Sequence, residues 1–166
     1  MNTFFWKTLW VLGLSATAAS AQTALSADEI AKIKKEVTAA VHHYYRLFTE
    51  RNMKALPVEV FHVPLVYLSP GGAEVDATPA EVTARTEANL KRLLESGWDR
   101  SEFPSPNVCV LNAGAAIASG KFLRYKKDGS VLSENAVTYI FGKTDKGWRI
   151  VSYGGHALDR VVPCPE

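Results

Sequence analysis

The stretch GKFLRYKKDGSVLSENAVTYIFGKTDKGWRIVSYGG, residues 120–155, decides the fold. It is made of long runs rich in Val, Ile, Tyr, Phe and Thr, cut at Lys127-Asp128-Gly129 and again at Asp145-Lys146-Gly147. Runs joined by turns this short have to be antiparallel neighbours. Just upstream, Val108 to Leu111 and Ala115 to Tyr125 meet at Asn112-Ala113-Gly114, so a meander of three or four strands is predicted beyond Trp98. Gly114, Gly120, Gly154 and Gly155 fall where a long sheet could bend.

Working outward, the text before Trp98 has helical periodicity. Ser26-Ala27-Asp28-Glu29 has the form of a capping box, in which the Ser hydroxyl and the Glu carboxylate satisfy the first free amides of a helix. Ile30, Ile33, Val37, Ala40, Val41, Tyr44, Leu47 and Phe48 follow at three- and four-residue steps, which predicts one amphipathic helix over about residues 27–51. His42 points away from that stripe, into solvent, and His43 sits at its edge. Thr78-Pro79-Ala80-Glu81 opens a second helix in the same way, with Val82, Thr86, Leu90 and Leu93 on one face and a stop at Ser96-Gly97. Between the helices, Val63-Pro64-Leu65-Val66-Tyr67-Leu68 reads as a strand whose Pro suits an edge or its first residues. Ser69-Pro70-Gly71-Gly72 then turns the chain into Ala73-Glu74-Val75.

Helices early in the chain and long strands after them predict an α+β fold, with one curved antiparallel sheet wrapped around the helices. Such a cone has one open end that can hold a small molecule.

Composition narrows the class. The 166 residues are 47% hydrophobic and 22% charged, with a net charge of +2 and two cysteines, which excludes a disordered tail, a collagen-like chain and a multiply bridged mini-domain. No basic stripe accompanies Lys126-Lys127, so nucleic acid is not an expected partner. Residues 1–21 hold one charge, Lys7, then an apolar run, then Ala19-Ser20-Ala21, the pattern of a cleaved export signal and too short a run for a membrane span. A single domain over residues 22–166, periplasmic or secreted and free of the membrane after cleavage, is expected. In that compartment Cys109 and Cys164 either form a bridge that pins the C-terminal tail or remain a buried thiol and a frayed one. Neither spacing is a metal or redox motif, so no metal and no cofactor are expected.

Tyr67-Leu68-Ser69-Pro70-Gly71-Gly72, the segment from Phe122 to Gly129, and Thr138-Tyr139-Ile140-Phe141 leading into Gly147-Trp148-Arg149-Ile150-Val151 with His156 beyond resemble the nuclear transport factor 2-like (SnoaL-like) superfamily. The resemblance spans about residues 27–159. It implies a cystatin-like cone, frequent homodimerisation, and either ligand binding or cofactor-free proton transfer by isomerases, dehydratases and cyclases, with a His or carboxylate base and Tyr donors.

The candidate residues follow from both readings. His156, which follows Ser152 and Gly154 at strand spacing, is the first candidate base, and it could equally be a histidine bonded at the sheet edge. Tyr139 and His62 complete the catalytic candidates, while Tyr44, Tyr67, Arg124 and Asn89 are ligand-binding candidates. Tyr67 and Tyr139 can offer hydroxyls inside a cavity or can simply pack. Arg124 shares a strand face with Ala118, Gly120 and Phe122; it either faces the cavity, where it would select anions, or pairs with Glu134 across the hairpin. Asp76, the position of an isomerase-like base, reads as a turn residue before the Thr78 cap. The sequence thus predicts a cofactor-free isomerase, lyase or dehydratase for a small apolar or aromatic molecule, with a non-catalytic ligand-binding or dimerisation domain as the other reading.

Overall fold

The computed structural model describes residues 24–164, and the leader expected at residues 1–21 lies outside them. The elements run α1 (Ala27–Thr49), a 3-10 turn (Met53–Ala55), a π-helical turn (Leu56–Val60), β1 (Phe61–Ser69) and β2 (Gly72–Asp76). They continue with α2 (Pro79–Glu95), β3 (Trp98–Glu102), β4 (Asn107–Asn112), β5 (Ala115–Lys126), β6 (Val131–Thr144) and β7 (Gly147–His156).

Both helices start where capping chemistry predicts. The Glu29 amide donates to Ser26 Oγ at 3.3 Å while Glu29 Oε2 accepts from the Ser26 amide at 2.8 Å, so the two residues satisfy each other. Thr78 and Glu81 repeat the arrangement at α2, behind Pro79. α1 buries Ile33, Val37, Val41, Tyr45, Leu47 and Phe48 against the concave face of the sheet. Tyr45 extends the four-residue step from Val41 and joins the stripe that the sequence pattern carried through Tyr44.

The strands form one sheet in the order β2-β1-β7-β6-β5-β3, with β4 also paired to β5. The long β5 serves two partners along one edge: residues 115–119 pair with β4 and residues 123–126 with β3. β1 runs parallel to β7, so the first hairpin closes against the last strand, and every other pairing is antiparallel. Five strands follow α2 where three or four were predicted. The additional one, Trp98-Asp99-Arg100-Ser101-Glu102, is too polar to declare itself as a strand. Pro64 also sits differently from expectation: β1 is flanked by β2 and β7, and the proline lies where the register to β7 shifts between Phe61 and Val66, the place where an internal strand tolerates a missing donor.

A second register shift sets the site. Ile150 pairs with Phe141 but Ser152 pairs with Ile140, so Val151 is one residue extra in β7. A single inserted residue exchanges the faces of everything beyond it. Ile150 and Tyr153 therefore face the concave side, with Tyr139 opposite Tyr153, while Ser152, Gly154 and His156 face the convex side.

Two of the predicted bending glycines are points of close approach. A Cβ at Gly120 would lie 2.6 Å from the Phe103 ring, and one at Gly154 would lie 3.0 Å from the Leu68 carbonyl oxygen. The tail crosses the convex face and is held there by the Cys109–Cys164 disulfide, the bridged alternative of the two, with Cα atoms 5.1 Å apart.

Candidate functional site

Where the concave face curls around α1 and α2 it leaves a cavity of 640 Å³. Its walls are set by strand alternation. Phe122 and Arg124 of β5, opposite Asn135 and Ser133 of β6, continue the inward row that begins at Ala118 and Tyr139. Tyr44, Tyr45 and Phe48 enter from α1, Tyr67 from β1, Tyr153 from β7, and Arg85, Asn89 and Arg92 from α2.

The interior is a cluster of aromatic rings. Tyr44 meets Tyr45 at 5.2 Å between centroids and Tyr139 at 5.9 Å, and Tyr153 lies 6.0 Å from Tyr139 and 5.1 Å from Tyr67. The hydroxyls of Tyr45 and Tyr139 share a hydrogen bond of 3.0 Å. Burial pushes the phenols of Tyr44, Tyr45 and Tyr139 well above the ordinary tyrosine range, and their neighbouring phenols add to this while Arg124 opposes it. Tyr153 is pushed up to about 12, again chiefly by burial. All four are neutral hydroxyl groups near physiological pH, available as donors and acceptors.

Of the three arginines on the wall, Arg92 is exposed, and the other two differ. Arg85 is fully engaged: Nε donates to Asp76 Oδ2 at 2.7 Å, Nη2 to Asp76 Oδ1 at 3.0 Å and Nη1 to Glu74 Oε2 at 2.9 Å, and its guanidinium lies over the Tyr67 ring. These carboxylates hold its pKa above the usual arginine value. Asp76, read from sequence as a turn residue, is thus the buried end of β2, and its charge is spent on Arg85. Arg124 has no such partner. Its Nε is buried without any hydrogen bond, and Glu134, the cross-strand partner considered for it, sits 3.8 Å from Lys121 instead. The ring of Phe122 lies 5.3 Å from the Arg124 guanidinium carbon.

His156 takes the sheet-edge alternative that the sequence left open, and His62 lies apart from the cavity. His62 is exposed and outside the cavity wall. His156 reaches the cavity only at its mouth, beside the exposed Ala157 and Leu158, because the extra residue in β7 turns its ring to the convex face. There Nδ1 lies 2.9 Å from Ala157 O and Nε2 lies 2.9 Å from Thr138 Oγ1. A carbonyl only accepts, so Nδ1 donates to Ala157 O, while Nε2 pairs with the Thr138 hydroxyl. Val162 N–H donates to Ser119 Oγ at 3.0 Å, the Ser119 and Thr138 hydroxyls share a bond of 2.8 Å, and Thr138 completes the chain to His156. Both ring nitrogens are committed to this structural chain. His42, expected in water, is exposed but its Nε2 donates to Phe103 O at 3.0 Å.

Tyr139, Tyr44, Tyr67, Arg124 and Asn89 are brought together around the cavity, as their sequence positions suggested. Sequence reading missed Tyr45, Tyr153 and Arg85. The first continues the Val37-Val41 step, and Arg85 faces Glu74 and Asp76, which share a strand face at two-residue spacing; either signal was available. Tyr153 was hidden by the extra residue at Val151. Thr86, from the inward stripe of α2, also lines the cavity, but its hydroxyl bonds its own helix, donating to Val82 O and Thr83 O at 2.9 Å. Among the described residues no group of three His, Cys, Asp or Glu could hold a metal ion, and no helix is long and apolar enough to cross a membrane.

Comparison with known proteins places this geometry. An NTF2-like protein with a cystatin-like fold from Novosphingobium aromaticivorans superposes with a TM-score of 0.64 at 19% identity, covering 79% of this chain and 85% of that one. Aln2 from a Streptomyces species gives 0.62 at 18% identity, over 77% of this chain and 92% of its own. A putative calcium/calmodulin dependent protein kinase II association domain from Xanthomonas campestris gives 0.55 at 20% identity, over 76% and 88%. At these identities the likeness concerns the fold. No curated protein matches the chain in sequence. The family model described as NTF2-like protein (DUF6841) matches residues 35–157, from the third turn of α1 to just past the end of β7, and the chain belongs to that family.

Proposed function

We propose that this chain is an exported small-molecule-binding protein whose cone takes a ligand with an aromatic or apolar body and holds it without transforming it. The observation that carries the proposal is the 640 Å³ cavity walled by aromatic rings, with the Tyr45 and Tyr139 hydroxyls 3.0 Å apart inside it. A mostly apolar concavity with a few convergent polar groups is the usual form of a ligand site. Its volume exceeds that of a bicyclic aromatic molecule, and its hydroxyls can orient one polar substituent.

Binding is favoured over catalysis by the position of the bases. Proton transfer needs a titratable group within hydrogen-bond reach of the substrate. Asp76 is outside the wall and bonded to Arg85; of the two candidates on the wall, Glu134 sits 3.8 Å from Lys121 and the His156 nitrogens are engaged by Thr138 and Ala157. The reading as an isomerase, lyase or dehydratase draws on the Tyr45–Tyr139 pair, which has the form of a donor for a developing oxyanion. Substrate turnover that falls in Tyr139→Phe would favour it.

Calorimetric titration with 2-naphthamide tests the proposal. Saturable binding of one molecule per chain is expected, with loss of binding when Val137→Phe fills the cavity. A folded chain that binds neither 2-naphthamide nor 2-naphthoate would overturn it. Export through residues 1–21 and pairing into a homodimer belong to the same proposal; a leader still present on the exported chain, or a single-chain mass in solution, would remove the respective part.

A further inference from the structure

We infer that the ligand of this cavity carries a carboxylate, seated side-on against the Nε–H and the adjacent Nη–H of Arg124; the inference rests on the pocket reading above and names the chemistry of its ligand. The starting observation is a contrast among the arginines. Arg85 has Asp76 and Glu74, Arg100 has Glu102 at 3.1 Å and lies over the Tyr125 ring, and Arg46 has Glu50 at 3.9 Å. Arg124 is on the cavity wall, takes part in none of the ion pairs among the described residues, and has a buried Nε with no acceptor.

Glu134 also lines the cavity but sits 3.8 Å from Lys121, and the residues paired with Arg124 carry no charge. The residues opposite it on β3 and β6 are Ser101 and Ser133, and the Ser101 hydroxyl already accepts from Trp98 Nε1 at 2.9 Å. The nearby phenols of Tyr44, Tyr45 and Tyr139 are held protonated, so none offers an anion. A guanidinium keeps its charge throughout the accessible pH range, and a buried N–H without an acceptor is unfavourable. A ligand that brings a negative acceptor to this point gains what the protein does not provide.

The donor geometry selects the kind of anion. An orphan at Nε, rather than at a terminal nitrogen, leaves two parallel N–H groups along one side of the guanidinium, the fork that matches the two oxygens of a planar carboxylate. With Arg85 neutralised, the positive charge left on the wall is that of Arg124 further in and of the exposed Arg92, neither of which takes part in an ion pair among the described residues, and both favour an anionic ligand. The Phe122 ring beneath the guanidinium and the tyrosines further in suit an aromatic body attached to that carboxylate.

The test is a matched pair of probes, 2-naphthoate and 2-naphthamide, which share a ring system and differ in charge. Calorimetry on the whole chain is expected to show 2-naphthoate binding at least tenfold more tightly than the amide. Arg124→Gln is expected to erase that preference, and Arg124→Lys, which keeps charge but not the fork, to retain only part of it. Equal affinity of the two probes for the natural chain, or a preference that survives in Arg124→Gln, would overturn the carboxylate while leaving the pocket reading intact. Absence of binding by both probes would overturn the pocket reading and the inference with it. Because the comparison on the natural chain needs no substitution, a variant that fails to fold does not rescue the inference.

Discussion

The two faces of the sheet handle polar groups in opposite ways. On the convex face, Val162, Ser119, Thr138, His156 and Ala157 pass hydrogen bonds along an unbroken chain, Asn107 Nδ2 donates to Val162 O at 2.7 Å, and a disulfide secures the end. On the concave face, five residues further along β5, Arg124 Nε is buried with nothing to bond. A satisfied buried network is what a structural role requires, whereas an unsatisfied charged donor in a cavity is a cost that folding alone does not explain. The comparison teaches that the histidine chosen first as a catalytic residue belongs to the architecture, and that the arginine is the residue left for function.

Substitutions on the two faces should separate along the same line. The largest effect is expected from Cys164→Ser. The bridge spans 55 residues, and in the chain-entropy picture its loss costs up to about 4 kcal/mol, read as a lower urea midpoint with little effect on naphthoate affinity. A comparable loss of affinity would mean that the tail shapes the cavity.

Next comes the concave face at high pH. Tyr153 holds its proton more tightly in the folded chain, about 12 against an ordinary 10.0, so its contribution is complete below pH 10 and disappears as the pH rises toward 12. That is roughly 2–3 kcal/mol from one residue, and Tyr44, Tyr45 and Tyr139 act in the same direction. Alkaline titration should therefore show tyrosinate absorbance appearing together with loss of tertiary structure. Smooth ionisation of every tyrosine near its ordinary pKa in a chain that stays folded would contradict the buried cluster.

Ser119→Ala breaks the convex chain between Val162 and Thr138 and should cost roughly 1–3 kcal/mol, because it leaves a buried amide without its acceptor. Arg124→Met should be the mildest. Removing a charge that nothing pairs is expected to leave stability within about 1 kcal/mol of the natural chain or to raise it, as replacements of buried charge by apolar groups often do. A large loss would show that Arg124 supports the fold.

Much of this architecture was legible in the residues. The two capping boxes, the Asp-Gly and Lys-Gly turns and the helical stripes each report a local requirement of the backbone, and all of them appear in the structure. Arg124 was placed correctly on the face of Ala118 and Phe122 because β5 keeps its alternation over that span. His156 was not, and the reason is a single residue. Alternation from Ile150 would bring His156 to the inside, but the extra residue at Val151 exchanges the faces, and no local feature of Arg149-Ile150-Val151-Ser152 announces that shift. Asp76 was misread because its partner, Arg85, lies on the next helix, a contact that only the packing of α2 against β2 creates.

The most direct test is nuclear magnetic resonance of the arginine Nε–H groups, with the Arg124 signal identified by its loss in Arg124→Lys. The account predicts that this signal moves and exchanges more slowly when 2-naphthoate is added, and that saturating 2-naphthamide moves it less. If 2-naphthoate binds while the Arg124 signal stays where it was, the ligand's charge is held elsewhere and the central claim is wrong.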